Sequence, residues 1–306
     1  MIISASRRTD IPAFYAGWLM NRVRAGYCTT MNPYNRKQVS YVSLRPEDVD
    51  VIVFWTKHPE PLVKHLKELD ARGYRYYFQY TLNGYPRTIE PNLPGLKEEI
   101  ETFKRLAGLV GPDRVIWRYD PIIISNATGI DYHKRQIDHI ARELEGSTER
   151  LVVSIVDEYR KARTNFNRLE NQAISIKRQV TEQDVEDLIE YIVAQAQNRK
   201  METFSCAEVL DLTPFGLKPG KCIDDDYIQK VFGINVRLEK DKSQRLECGC
   251  IISKDIGAYD TCLHGCQYCY AGTLAAAKRN KSNHFLDSPS ILGRNEVKQS
   301  SVNQSN

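Results

Sequence analysis

The residues best equipped for chemistry sit late in the chain. The stretch "TCLHGCQYCYA" (261–271) sets Cys262, Cys266 and Cys269 in a Cys-x-x-x-Cys-x-x-Cys pattern. Thiolates ligate zinc and iron–sulfur clusters, and a tetrahedral site wants four ligands. The loop offers three. Its spacing lacks the paired dyads of common zinc fingers and the even two-residue steps of a ferredoxin run. Three cysteines on a 4Fe-4S cube leave one iron without a protein ligand, open to a substrate or cofactor. A second set, Cys206, Cys222, Cys248 and Cys250, lies in the same last third of the chain. Four thiolates can complete a tetrahedral zinc site or hold an auxiliary cluster. In an extended segment, Cys248 and Cys250 would share one face, which suits joint ligation. The plainer reading of this second set is four buried thiols, which are common. Disulfides are disfavoured because nothing at the start of the chain signals secretion. Cys28, alone in "AGYCTTMNPY", reads as a buried structural residue.

Charged candidates come next. "SASRRTD" brings Arg7, Arg8 and Asp10 together. Guanidinium groups could clamp a carboxylate or phosphate, while Asp10 also suits an N-cap ahead of Pro12. Lys57 in "FWTKHPEP", Arg118 and Asp120 in "WRYDP", and Asp157 in "SIVDEY" complete the expected catalytic set with Arg7. The six histidines show no spacing that suggests shared metal ligation, and His264 reads as a neighbour of the cysteine loop rather than a ligand. The run "EYRKARTNFNRL" (158–169) is basic with aromatics and could touch nucleic acid, but a solvated helix face is its usual explanation.

These residues need elements to hold them. Six strands are expected: 2–6, 49–57, 74–82, 114–122, 150–157 and 201–209. Helical stretches of 3.6-residue apolar spacing alternate with them at 14–26, 60–73, 96–111, 132–146 and 182–200. Strands alternating with helices indicate parallel βαβ units, and near-continuous apolar strands indicate burial on both faces. No Gly-x-Gly-x-x-Gly follows a strand, so a dinucleotide-binding sheet is unsupported. The expected fold is therefore an α/β partial (β/α) barrel. Polar residues at successive strand ends point to a pocket at the C-terminal mouth. The expected organisation is a βα-repeat barrel over 1–209, a cysteine-rich region completing it over 210–281, and a disordered tail over 282–306, which is rich in Ser, Asn and Gln. "IISKDIGAY" (251–259) is a seventh strand candidate leading into the cysteines, with a helix after them at 271–280.

The 306 residues carry a net charge of only +4, which permits an anionic ligand or nucleic acid without requiring one. No apolar run is long enough to span a bilayer, and the start lacks a secretory pattern, so a cytoplasmic protein without membrane contact is expected.

The cysteine motif, followed by Tyr270 and Ala271, resembles the cluster motif of radical S-adenosylmethionine (radical SAM) enzymes, and its "HGCQYCYA" form is similar to the spore photoproduct lyase branch. The resemblance implies a 4Fe-4S cluster on Cys262, Cys266 and Cys269, with S-adenosylmethionine chelated at the open iron. It implies reductive cleavage of a carbon–sulfur bond by an electron donor, giving a 5′-deoxyadenosyl radical, with Tyr268 near the adenine. It carries a weaker suggestion of nucleic-acid repair or modification. The whole of residues 1–287 resembles the domain of unknown function 1848 family, through "SASRRTDIPAFY", "VIVFWTKHPEP", "YYFQYTL", "VIWRYDPI", "CAEVLDL" and "CGCIISKDIGAYDTCLHGCQYCYA". Two departures stand out. In a radical SAM core the cysteine loop follows the first strand, whereas here it follows six. A circular permutation would reconcile them if 251–259 lay beside 2–6. The cofactor-binding glycines expected after the second strand are also absent, and "SRRTD" stands in their place. A non-catalytic protein with structural zinc or a redox-sensing cluster is the alternative from another class.

Overall fold

The structure, a computed structural model, describes residues 1–35, 37–156, 160–171, 173–177 and 181–293. Strands β1 (Ile2–Ala5), β2 (Tyr27–Met31), β3 (Val39–Ser43), β4 (Val51–Thr56), β5 (Tyr76–Thr81), β6 (Val115–Ile122), β7 (Arg150–Ile155), β8 (Glu202–Cys206), β9 (Lys218–Gly220) and β10 (Lys254–Asp255) interleave with helices. The helices are α1 (Ile11–Phe14), α2 (Ala16–Ala25), α3 (Glu60–Val63), α4 (Leu66–Ala71), α5 (Leu96–Val110), α6 (Ile130–Glu143), α7 (Arg160–Glu170), α8 (Glu182–Gln197), α9 (Asp225–Phe232) and α10 (Leu274–Ser282). Eight strands form one parallel sheet in the order β10-β1-β4-β5-β6-β7-β8-β9. The six strands expected from sequence are its centre. Barrel closure is not part of the observed ladder, whose ends are β10 and β9. Among the described residues no helix is long and apolar enough to cross a membrane.

The period-2 alternation of strand side chains divides the core in two. Ile3, Phe54, Phe78, Trp117, Tyr119 and Val153 face the helix layer, whose apolar stripes include Phe103, Ile137 and Ile192. Ile2, Val53, Tyr77, Ile116 and Val152 face the other way, onto Ile223, Ile228, Cys250 and Ile251 from the C-terminal third. Each large side chain withdrawn from water contributes about 1.5–3 kcal/mol, so both faces stabilise the sheet. One step further along the strands, the second face turns polar at Ser4, Gln79, Arg118, Ser154 and Cys206. The apolar layer is thus a floor, and the polar layer stands at the C-terminal ends above it.

β10 pairs in parallel with β1, Ile3 opposite Lys254 and Ser4 opposite Asp255. The segment before the cysteine loop therefore lies beside the first strand, the neighbour relation that the late motif called for. The strand is shorter than the expected 251–259. Asp255 ends it, because its carboxylate accepts from Ser6 Oγ (2.6 Å), Ser4 Oγ (3.2 Å) and the amides of Arg7 (2.9 Å) and Gly257 (3.0 Å). At Gly257 a Cβ would come within 2.2 Å of Ser6 Oγ, so glycine lets the chain cross close over β1. Gly26, at φ 75°, ends α2 where the sequence placed its stop.

Two features were not legible beforehand. The β2–β3 hairpin has no apolar run to mark it as strand. The tail expected from residue 282 begins later: residues 283–293 fold back over α2, where Trp18 Nε1 donates to Ser288 O (2.8 Å), Thr29 N donates to Pro289 O (2.8 Å) and Ile291 is buried. Sparse apolar residues suffice there because they fill a site prepared by α2 and β2. The rest of the expected tail lies outside the described residues.

His133 on α6 is fully buried, with Nε2 against Ile123 O (2.9 Å) and Nδ1 against the Tyr119 hydroxyl (2.7 Å), a pairing that suits the neutral ring. Burial lowers its pKa from 6.5 to about 4. A depressed folded-state pKa means the unfolded chain binds the proton first. The stabilisation from this group is complete above the unfolded pKa and is lost as pH falls toward about 4, at up to about 1.4 kcal/mol per pH unit. Urea midpoints followed over that window are expected to fall less steeply in His133→Asn than in the parent chain. Equal slopes would show that His133 is not the group responsible.

Candidate metal centre

The strand ends and the C-terminal loops enclose one cavity of about 510 Å³. It is lined by Arg7 after β1, Lys57 after β4, Thr81 on β5, Arg118 and Asp120 on β6, Ser154 on β7 and Cys206 on β8. Cys262, Cys266, Cys269 and Tyr268 line it too, as do Cys222, Cys248 and Cys250. Residues scattered from 7 to 269 thus meet in one place. Of the residues singled out from sequence, Asp157 lies outside the described residues, although its neighbour Val156 reaches the cavity.

The three-cysteine loop is held from several sides. Asp10 caps α1 by accepting Ala13 N (2.9 Å) at Oδ1, as expected of an N-cap. Its other oxygen accepts Lys57 N (2.7 Å) and meets His264 Nε2 (2.8 Å). One buried carboxylate therefore ties the ends of β1 and β4 to the cysteine loop. Asn92 Nδ2 donates to Leu263 O (3.0 Å) and Gln267 N donates to Ile89 O (3.0 Å). Tyr15 OH donates to Thr261 O (2.8 Å), and Tyr270 OH to Arg7 O (2.8 Å). His264 is thus a support of the loop, and its Nδ1 is buried with no hydrogen-bond partner.

Lys57 Nζ pairs with Glu90 Oε1 at 2.8 Å, and the Tyr268 hydroxyl donates to the same oxygen. The ammonium also lies 5.5 Å from the Tyr268 ring centroid. Glu90 is 3% exposed, so a carboxylate there is tolerable only because it is paired. Sequence reading missed Glu90, which lies in a loop with no motif around it. It missed Asp255 and Trp55 too, although both lie on strands, because their roles come from what folds onto them. Trp55 carries two guanidinium groups, Arg7 at 5.2 Å and Arg118 at 5.3 Å from its ring centroid.

Arg118 is the hub of the second cysteine set. Its Nε donates to Asp120 Oδ2 (2.9 Å), and Nη1 donates to Gln79 Oε1 (3.2 Å) and Cys222 Sγ (2.9 Å). Asp120 also accepts from Ser154 Oγ. Burial works against the charged Asp120, but Arg118 and Ser154 outweigh it and hold the carboxyl below its ordinary range. Cys206 and Cys222 share a hydrogen bond, Sγ to Sγ 3.3 Å, which with Arg118 draws the Cys206 thiol down to about 7 against its burial. In the three-cysteine loop burial dominates instead, pushing Cys262 up to about 12 and raising Cys266.

Among the described residues, Asp224, Asp225 and Asp226 are the only His, Cys, Asp or Glu trio with ligand atoms mutually within 4.8 Å. In neither cysteine set are three sulphurs mutually that close, against roughly 3.8 Å between thiolates sharing one tetrahedral zinc with 2.3 Å bonds. The aspartates need no ion, since Asp224 pairs with Arg150 and the other two with Lys221.

Cys28 is buried on β2, as its isolation suggested. Residues 160–169 of the basic run lie in α7, whose Ala162, Phe166 and Leu169 bury one face against Ile123, so Phe166 is a core residue, while 158 and 159 lie outside the described residues. The family described as Domain of unknown function (DUF1848) matches residues 2–271. None of the curated proteins and none of the solved structures compared with the chain matches it.

Proposed function

The chain belongs to the DUF1848 family, and we propose that it is an iron–sulfur enzyme of the radical SAM type, with Cys262, Cys266 and Cys269 holding a site-differentiated 4Fe-4S cluster. The observation that carries this reading is the placement of the three-cysteine loop. It follows a strand paired with β1 and opens into a polar cavity at the C-terminal ends of a parallel sheet. Bound there, the cluster would supply an open iron and an electron for reductive cleavage of S-adenosylmethionine.

The protein's own residues then have definite work. Asp10, His264, Asn92 and Ile89 fix the loop backbone. The Lys57–Glu90 pair, with Tyr268, forms a buried polar wall that holds the third cysteine's neighbour in place. Arg7 and Arg118 supply positive charge to the interior. Arg7 Nη2 is buried without a hydrogen-bond partner, so an anionic group arriving in the cavity would satisfy it. The apolar floor and the folded C-terminal third keep bulk water away from one side, as radical chemistry requires.

The test is anaerobic purification and reconstitution, with iron, sulfide and zinc measured and EPR of the reduced protein recorded with and without S-adenosylmethionine. Iron and sulfide in equal amounts, a spectrum changed by S-adenosylmethionine, and release of 5′-deoxyadenosine are expected. Zinc without sulfide would remove the cluster, and a cluster indifferent to S-adenosylmethionine would remove the radical enzyme.

A gentler change reports on the loop's supports. His264→Phe keeps a ring against Phe14 but loses the bond to Asp10. Groups that orient metal ligands typically contribute about 10–100-fold in metal affinity. Iron loss to a chelator is expected to be faster by about that factor, with the fold unchanged by circular dichroism. An unaltered release rate would mean that His264 does not position the ligands.

A further inference from the structure

We propose that Cys206, Cys222, Cys248 and Cys250 form a second thiolate metal centre, separate from the three-cysteine loop and set in the wall of the same cavity. They come from the end of β8, the segment after β9 and the irregular stretch before β10, so nothing local in the sequence requires them to meet. They nevertheless meet. Cys206 and Cys222 stand 3.3 Å apart, and Cys250 Sγ accepts the amides of Cys222 (3.3 Å) and Ile223 (3.4 Å). Cys250 in turn interacts with the thiols of Cys222 and Cys248. The contacts run in a chain from Cys206 through Cys222 and Cys250 to Cys248. No three of the four sulphurs lie mutually within 4.8 Å, so the contacts form an open chain that one bound zinc or iron ion would draw in to roughly 3.8 Å.

Two further observations point to an absent ligand. First, these thiols also pack into the apolar layer around Ile223 and Ile251, yet two guanidinium groups are directed at the set. Arg118 Nη1 lies 2.9 Å from Cys222 Sγ, and the Arg7 guanidinium is attracted electrostatically to Cys250 and Cys222. Four thiolates around a divalent ion leave two negative charges, and two arginines stand against them. Second, Arg7 Nη2 is buried with no hydrogen-bond partner, an orphan donor beside the sulphurs. Soft sulphur donors select zinc or iron over magnesium or calcium. The site does not depend on what the loop of Cys262, Cys266 and Cys269 binds.

The experiment therefore removes the loop ligands first. The Cys262→Ala/Cys266→Ala/Cys269→Ala chain is purified anaerobically from medium supplying zinc and iron, and its metal, sulfide and free thiols are measured. About one equivalent of zinc or iron is expected, lost when Cys222→Ser and Cys250→Ser are added, with circular dichroism reporting the fold. If those buried substitutions unfold the chain, Cys248→Ser, at a more exposed position, is expected to give the same one-equivalent loss in the otherwise intact protein. A folded loop-less chain without metal overturns the second centre. So does metal that survives Cys222→Ser and Cys250→Ser, or a Cys206–Cys222 disulfide in the anaerobic protein. Failure of the loop to bind a cluster leaves every one of these outcomes readable.

Discussion

Cys266→Ala is expected to abolish iron and sulfide incorporation at the three-cysteine loop, whereas Cys28→Ala, in the core beneath β2, leaves it intact. Cys266 is the most deeply buried of the three loop thiols, and it faces the cavity that also contains Lys57. An alanine there removes one of only three thiols in the loop. The expected change is from full to negligible iron, read by metal analysis and by loss of visible charge-transfer absorption. Equal iron in Cys266→Ala and the parent would mean that the cluster, if any, is not on this loop. The same thiols predict a pH dependence. Burial raises Cys262 and Cys266, so both carry protons near neutrality and must release them to bind metal. Apparent affinity is expected to climb with pH, by up to about tenfold per pH unit for each proton displaced. A flat profile would indicate that the thiols are already ionised before the metal arrives.

Arg118→Met is expected to cost about 3–5 kcal/mol of stability in the metal-free chain, the range seen when one partner of a buried ion pair is removed. The side chain is 3% exposed and its partner Asp120 is 22% exposed. Methionine fills the volume but leaves the Asp120 carboxylate with Ser154 alone, and strips Gln79 Oε1 and Cys222 Sγ of their donor. Domains of ordinary stability have about 5–15 kcal/mol in total, so the variant should sit close to unfolding. The decisive comparison is the double variant Arg118→Met/Asp120→Asn. With no charge left to bury, it is expected to recover most of the loss in urea unfolding. A single variant as stable as the parent would mean that Arg118 is solvated or repaired by another cation, and the cavity would lose its electrostatic centre.

Much of this architecture follows from local pattern. Apolar strand runs such as 51–56 and 76–81 read directly as buried parallel strands, because both faces of such a strand must be apolar somewhere along its length. The close spacing of Cys262, Cys266 and Cys269 marked a candidate metal loop, since short-range spacing survives any fold. The Asp10 cap was legible for the same reason. The polar ends of successive strands also suggested a shared mouth, because βα repeats place equivalent ends together.

What only the tertiary structure decided was everything carried by distance in the chain. Glu90 is unremarkable in sequence and becomes important when Lys57 and Tyr268 close on it from 33 residues before and 178 after. Asp255 looks like one more charge until β10 lays it against Ser4, Ser6 and the Arg7 amide. Residues 283–293 look like the start of a tail, yet they pack because α2 offers them a surface. The same is true of the second cysteine set, gathered by two arginines from strands it does not adjoin in sequence. A sequence determines composition, periodicity and local spacing, and so it determined the strands and the close grouping of three thiols in one loop. Partners for a buried charge depend on which distant groups are desolvated beside it, and that is settled only when the sheet is assembled.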